Sequence, residues 1–227
     1  MRVQIHESLD DIPAGDWNRL AGDYPFLRHE FLAALEHSGC TTAKTGWQPL
    51  HLGCTDAAGR LTGALPLYLK SHSYGEFVFD WAWADAYQRH GHAYYPKLVS
   101  AVPFSPVAGP RLLISPDADR AAISAALIAK TRELARELRA SSIHCLFPYE
   151  AELESWNGAG FLTRRDCQFH WHDRGYRDFE HFLESFTADK RKKVHRERRR
   201  IAEAGIRMQA YGGRELDERL MGALYRF

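Results

Sequence analysis

Between Tyr68 and Tyr95 the sequence sets titratable side chains among flat rings: His72, Tyr74, Glu76, Asp80, Trp83, Asp85 and the pair Tyr94-Tyr95. The surrounding block, Pro66 to Arg111, reads PLYLKSHSYGEFVFDWAWADAYQRHGHAYYPKLVSAVPFSPVAGPR. Pockets for small polar ligands combine apolar walls with a few convergent polar groups, so the block reads as a site wall. His72, Glu76 and Asp80 are its candidate catalytic residues, because an imidazole or carboxylate withdrawn from water can be tuned toward neutral pH and take a proton from an attacking amine. The same three could instead satisfy loop backbone and cap a helix running from Trp81. Tyr74, Trp83, Asp85, Tyr94, Tyr95, Lys97 and Arg111 are the candidate substrate-binding residues of the wall. Tyr94-Tyr95-Pro96-Lys97 could stack on and anchor an anionic ligand, or form a core edge with a lysine reaching for water.

A second constellation is cationic. Asp189 to Arg200 holds eight of the 30 basic residues and two of the 29 acidic ones, leaving 22 against 27 elsewhere, a net of −5. An acidic body with one basic helix says more than the overall charge of +1. Lys190, Arg191 and Lys192 are candidate contacts to a phosphate-bearing substrate. Polymeric nucleic acid, an acidic membrane surface or a merely solvated helix face would use the same charges. The lack of aromatics from 190 to 204 counts against single-strand binding, which relies on stacking.

Cys167-x-x-His170-x-His172 invites a metal reading. On a strand, however, the thiol faces one side and the two imidazoles the other, and two histidines make a poor zinc site. No metal is expected. The four cysteines, at 40, 54, 145 and 167, form no CxxC pair and read as reduced thiols.

The positioning elements follow from periodicity. Val3 and Ile5 alternate as a first strand, and Asp16 to Leu20 makes a short helix. A helix opened by Pro25 carries Phe31, Leu32 and Leu35 on one face and stops at Gly39. Trp47 to Thr55 and Leu61 to Lys70 form a hairpin around Asp56-Ala-Ala-Gly-Arg60. Lys97 to Val102 and the Arg111-Leu-Leu-Ile114 run are extended, with a proline- and glycine-rich loop between them. Asp117 and Asp119 open a helix from Ala121 to Leu138, Ser142 to Phe147 is a buried strand, a helix runs through Trp156, and Phe161 to His172 alternates as a final strand. Beyond these come a helix at Phe179 to Phe186, the basic helix from Lys190 to Ala204, a strand from Ile206 to Tyr211 and a helix from Glu215.

Composition supports a folded chain: 45% of the 227 residues are hydrophobic and 26% charged, enough apolar side chains for a core. No run approaches a membrane span, and the alternating N-terminus is unlike a signal peptide, so a cytoplasmic protein is expected.

The strings PLYLKSHSYGEFVFDWAWADAY, HAYYPKLVSAVPFSPVAGPRLL, QFHWHDRGYRDFEHFLESF and KRKKVHRERRR resemble the FemAB-like proteins of bacteria and plants, a family grouped with the GCN5-related (GNAT) acyltransferases. The resemblance runs from about Trp17 onward. It implies an α/β fold with a GNAT-like mixed sheet and flanking helices over residues 1 to 175. Residues 176 to 227 would then hold a linker helix, the basic helix and the incomplete start of a second GNAT-like domain. It further implies N-acyl transfer, acetyl or aminoacyl, to a small-molecule or nucleotide-linked amine in a cleft between the two domains. The basic segment from Lys190 to Lys193 would lie near the phosphates of the acceptor.

The glycine-rich turn that cradles coenzyme A in GNAT enzymes corresponds here to PVAGPRLLISPDADR, where prolines and two aspartates replace bare backbone amides. The expectation is therefore no cofactor on this chain, with an acyl-CoA or aminoacyl-tRNA donor serving the full-length protein. Leu216, Leu220, Leu224 and Phe227 are expected to lack a partner sheet, leaving the chain inactive by itself and its last helix prone to associate. The rival reading, from another class, is a non-catalytic module that binds a phosphorylated or nucleic-acid partner through the basic helix.

Overall fold

The computed structural model describes residues 1–227. It divides into two compact units, Met1–Arg165 and Asp166–Phe227, a boundary ten residues before the one read from sequence.

The first unit is α/β, with mixed sheets flanked by helices. Strand β1 (Arg2–His6) is followed by helices α1 (Ala14–Ala21) and α2 (His29–His37). The predicted hairpin forms, but each arm is broken in two: β2 (Trp47–Pro49) and β3 (His51–Thr55) face β4 (Leu61–Leu65) and β5 (Tyr68–Lys70). Its turn carries Gly59 at φ +79°, a left-handed conformation that glycine adopts without steric cost. Next come α3 (Trp81–Arg89), β6 (Lys97–Ser100), β7 (Leu113–Ile114), α4 (Arg120–Glu137), β8 (Ile143–Cys145) and α5 (Leu153–Gly158).

The breaks send the hairpin's two ends into different sheets. One is antiparallel in the order β1-β3-β4-β7; the other runs β2-β5-β6-β8, with only the β6–β8 pair parallel. Pro66 has no N–H to give the ladder at the break, and His51 supplies what the ladder loses. Its Nδ1 accepts from Leu67 N at 3.2 Å, so the proton sits on Nε2, which donates to Glu36 Oε1 at 3.1 Å. Burial holds the His51 pKa down, which suits a neutral ring used once as acceptor and once as donor.

Two apolar layers sandwich the first sheet. On one side Leu9, Trp17, Leu27 and Leu32 meet Leu61, Ala64 and Leu113; on the other Ile123, Leu127 and Ile128 of α4 meet Leu52, Cys54 and Leu65. Within β4 Ala64 serves one layer and its neighbours Gly63 and Leu65 the other, as alternation requires, and the register shift opposite Cys54 and Thr55 lets Leu61 join the layer of Ala64. Gly63 lets α4 approach: a Cβ there would lie 2.4 Å from Ile123 Cγ2.

The second unit is helical: α6 (Phe179–Glu184), α7 (Ala188–Glu203) and α8 (Glu218–Arg226). Two strands expected from alternation do not form. Phe161 to His172 and Ile206 to Tyr211 have no strand assignment and are mostly exposed, with Phe169 at 98%. Alternation becomes a strand only beside an edge with free backbone groups to pair, and no strand pairs with either segment.

Candidate functional site

Pairing β5 between β2 and β6 sets Trp47, Lys70 and Lys97 directly opposite one another across three strands. Residues opposite each other share a face, and all three are fully buried. The loop from Ser71 to Asp80 folds over this row. Lys97 Nζ donates to Ser73 Oγ at 2.8 Å, Glu76 Oε2 at 2.8 Å and Asp80 Oδ2 at 2.5 Å. Its three ammonium hydrogens thus meet three acceptors. Tyr94 Oη donates to the same Asp80 oxygen at 2.7 Å, and Tyr95 Oη lies 2.8 Å from Ser73 Oγ. Lys70 has less: one bond, to the Tyr74 carbonyl at 3.2 Å, and the face of Trp47 with Nζ 3.6 Å from the ring centroid.

The loop is inside out. Its polar Ser73, Glu76 and Asp80 are buried, while Tyr74, Phe77 and Phe79 are exposed, followed on α3 by exposed Trp81 and Trp83. Chain geometry explains the reversal. Gly75, Phe77 and Phe79 all have left-handed φ, +80°, +60° and +48°, which turns alternate side chains outward. That conformation strains a phenylalanine by about 1–3 kcal/mol, offset here by the ionic contacts beneath.

The two carboxylates are driven apart. Burial pushes Glu76 up, against the pull of Lys97, so its pKa is raised. Burial pushes Asp80 up too, but hydrogen bonds from Lys97, Ser73 and Tyr94 outweigh it and hold it down to about 2. Each keeps one buried oxygen without a partner, Glu76 Oε1 and Asp80 Oδ1. Carboxyl groups whose environments separate their affinities for a proton are the pattern of acid–base sites, and Glu76 is the better proton acceptor near neutral pH.

The structure thus brings together Glu76, Asp80, Tyr94, Tyr95 and Lys97 of the expected site residues. Asp80 precedes α3 but does not cap it; its side chain serves the ion cluster. His72 borders the cluster with Nδ1 accepting from Tyr74 N at 3.2 Å and its ring packed on Gly46, where a Cβ would lie 2.4 Å from Nε2. Burial, with Lys70 adding, lowers its pKa, so it is a neutral spacer in the loop. Tyr74 and Trp83 are exposed, and Asp85 is tied to Arg89 at 2.9 Å on the outer face of α3.

Arg111 is fully buried and holds the fold rather than the cluster, since its guanidinium donates to the carbonyls of Leu146, Pro110 and Val107 at 2.8–3.0 Å. Glu152 meanwhile accepts from the backbone N–H groups of Arg111 and Leu112. Together they knit the proline-rich loop to the chain that follows β8. At the start of α4, where a phosphate would need free amides, Asp119 accepts from Ala122 N at 3.0 Å.

Sequence reading missed Lys70 and Ser73. Lys70 was legible by parity, since it shares a strand face with Tyr68 in the run LPLYLK. Nothing local marks Ser73.

In the second unit, α7 carries Lys190, Arg191 and Lys192. It packs on α6 through Arg198 over the Phe179 ring, 4.3 Å to the centroid, and His195 with Glu180 at 3.6 Å. Lys192, Arg196 and Arg200, four apart, lie away from that contact, exposed and without ion pairs. Next to α6 an apolar groove of about 520 Å³ is lined by Trp171, Tyr176, Phe179 and Phe182 with Asp173 and Asp178. Cys167 is exposed, and no group of three potential metal ligands occurs.

The model of the FemAB-like proteins, described as peptidoglycan biosynthesis/recognition, matches residues 8–227. The chain belongs to this family. No curated protein matches it. Similar solved structures include a probable acetyltransferase, at 16% identity over 78% of this FemAB-like chain and 99% of that one, with a TM-score of 0.45. Another is the aminoglycoside 6'-N-acetyltransferase of Acinetobacter baumannii, at 12% identity over 77% and 99%, TM-score 0.47. A third is an acetyltransferase of Trypanosoma brucei, at 16% over 75% and 99%, TM-score 0.43. None of these likenesses bears on donor, acceptor or site residues.

Proposed function

We propose that the protein transfers an acyl group to an amine, with Glu76 as the base. The observation that carries this reading is the buried cluster under the aromatic loop: a carboxylate raised in pKa, with one unpartnered oxygen, held by a fully satisfied lysine. Family membership supports the reaction class. In the step itself the acceptor nitrogen bonds to the acyl carbonyl carbon while the bond from that carbon to the donor's sulfur or oxygen breaks. The proton lost by nitrogen passes to Glu76 and from there to the departing sulfur or oxygen, so that the donor leaves as a thiol or alcohol and Glu76 returns to its carboxylate. Lys97 and Asp80 position Glu76, and the exposed rings of Tyr74, Trp81 and Trp83 supply contact area for the acceptor. With the Asp119 carboxylate capping the Ala122 amide and setting negative charge at the start of α4, we place the donor's phosphates elsewhere. Tyr94 and Tyr95 support the wall from behind through Asp80 and Ser73, and Arg111 has no part in it.

The test is acyl transfer by the full-length gene product, with acetyl-CoA and aminoacyl-tRNA donors against amine acceptors, followed by mass spectrometry. Acylated amine with at least one donor is the expected result. No transfer from any donor rejects the reading.

A second reading has its own observation. The unpaired ridge of Lys192, Arg196 and Arg200 suits a non-catalytic module that grips phosphates, with Lys190 and Arg191 beside it. Such binding must weaken steeply with salt; affinity for oligonucleotides that is flat between low and high salt excludes it.

A further inference from the structure

The two lysines of the buried row are unequal in a way the acyl-transfer reading does not use. Lys97 has an acceptor for each of its three ammonium hydrogens. Lys70, equally inaccessible, has a single carbonyl acceptor and an aromatic face. A protonated Lys70 leaves buried N–H groups without acceptors beside a second cation; a neutral Lys70 keeps its one hydrogen bond and frees a lone pair. Desolvated lysines and lysines next to another cation are the ones that become nucleophiles.

We propose that Lys70 is an acyl-accepting amine, a modification site for acyl thioesters, reached when the Ser71 to Asp80 loop lifts. Its Nζ bonds to the carbonyl carbon of the thioester and the carbon–sulfur bond breaks. The amine's proton leaves by way of Glu76 to the departing thiolate, giving an amide on Lys70 and a free thiol. The proposal needs no donor-binding site, so it stands or falls separately from the acyl-transfer reading.

The electrostatics agree in direction. Burial lowers the Lys70 pKa to about 7, with Lys97 adding to the depression and Glu76 opposing it. The Trp47 face opposes it as well. The groups facing Lys70 are therefore Lys97 from β6, Trp47 from β2, and His72 and Glu76 from the loop, with Asp80 tied to Lys97. The loop has a reason to open, since left-handed Phe77 and Phe79 relax when it lifts; lifting it also breaks the ion cluster, the hydrogen bonds from Trp47 to the Tyr74 carbonyl and from Phe104 to the Gly75 carbonyl, and the packing of Val78.

The test uses the unmodified full chain and S-acetyl-N-acetylcysteamine, a thioester without a nucleotide, with peptide mapping of every lysine from pH 6 to 9.5. Labelling of Lys70 is expected to rise to a plateau just above pH 7. Exposed Lys44, Lys190 and Lys192 are the reactivity controls, and free lysine added as an ordinary amine should keep rising about tenfold per pH unit. In urea the plateau disappears and Lys70 follows the others. A Lys70→Met chain should lose that one acetylated peptide. If Lys70 stays unlabelled while the exposed lysines react, or rises in parallel with them in the folded protein, the proposal is wrong.

Discussion

Two sets of basic side chains occupy opposite extremes in this molecule. Lys70 and Lys97 are wholly buried on adjacent strands, each facing atoms fixed by the fold. Lys192, Arg196 and Arg200 stand exposed on α7 with no fixed partner. The first set is a matter of geometry, because a buried charge is tolerated only with its hydrogen bonds complete. The second is a matter of field, tolerant of substitution and sensitive to salt. Identical residue types thus carry architecture in one unit and form an exposed row of charge in the other.

The comparison breaks most easily at Lys97. Lys97→Met leaves the buried Glu76 and Asp80 carboxylates uncompensated, and urea denaturation should show a loss of about 3–5 kcal/mol. Lys192→Met should stay within about 0.5 kcal/mol of the parent. Equal losses would erase the distinction.

A smaller effect follows from acid. Asp80 is held at about 2, against an ordinary 3.8, so the unfolded chain binds its proton first as pH falls. The stability from this group is complete above pH 4 and is lost between there and pH 2, about 2 kcal/mol in all. Asp80→Asn should remove that part of the acid limb in a pH series of unfolding midpoints. Lys70 sharpens the picture at the other end of the scale. Its folded pKa is depressed, so stability should climb as pH rises from 7 towards the ordinary lysine range, and Lys70→Met should flatten the climb.

The smallest effect on folding belongs to α7. Arg196→Glu should leave the unfolding midpoint unmoved while weakening binding to a polyanion such as heparin and lowering the salt slope, by about one for each cation removed. An unchanged slope would show that the ridge is merely solvated.

How legible this was depended on locality. The hairpin, α2, α4 and α7 were readable because periodicity, caps and a glycine turn are all written within one segment. Glu76, Asp80, Tyr94, Tyr95 and Lys97 could be nominated from composition, but their meeting depends on the register of β5 with β6, which is non-local. The face of Lys70 was legible from its parity with Tyr68, but that it meets Lys97 depends on the same register. Arg111 looked like a ligand contact because its burial depends on the carbonyls of Leu146 and Val107, one of them 35 residues away. Phe161 to His172 misled in the other direction, since it carries a strand's alternation with no strand beside it.

The most direct test of the buried cluster as a catalytic centre is the rate of acyl transfer by full-length Glu76→Gln, which keeps the size of the side chain and its carbonyl acceptor for Lys97 while losing the base. A positioned general base contributes about 10²–10⁴-fold, so kcat/KM should fall by at least about a hundredfold, while circular dichroism and the unfolding midpoint show the protein still folded. Transfer by folded Glu76→Gln at the parent rate would contradict the assignment of Glu76 as the base.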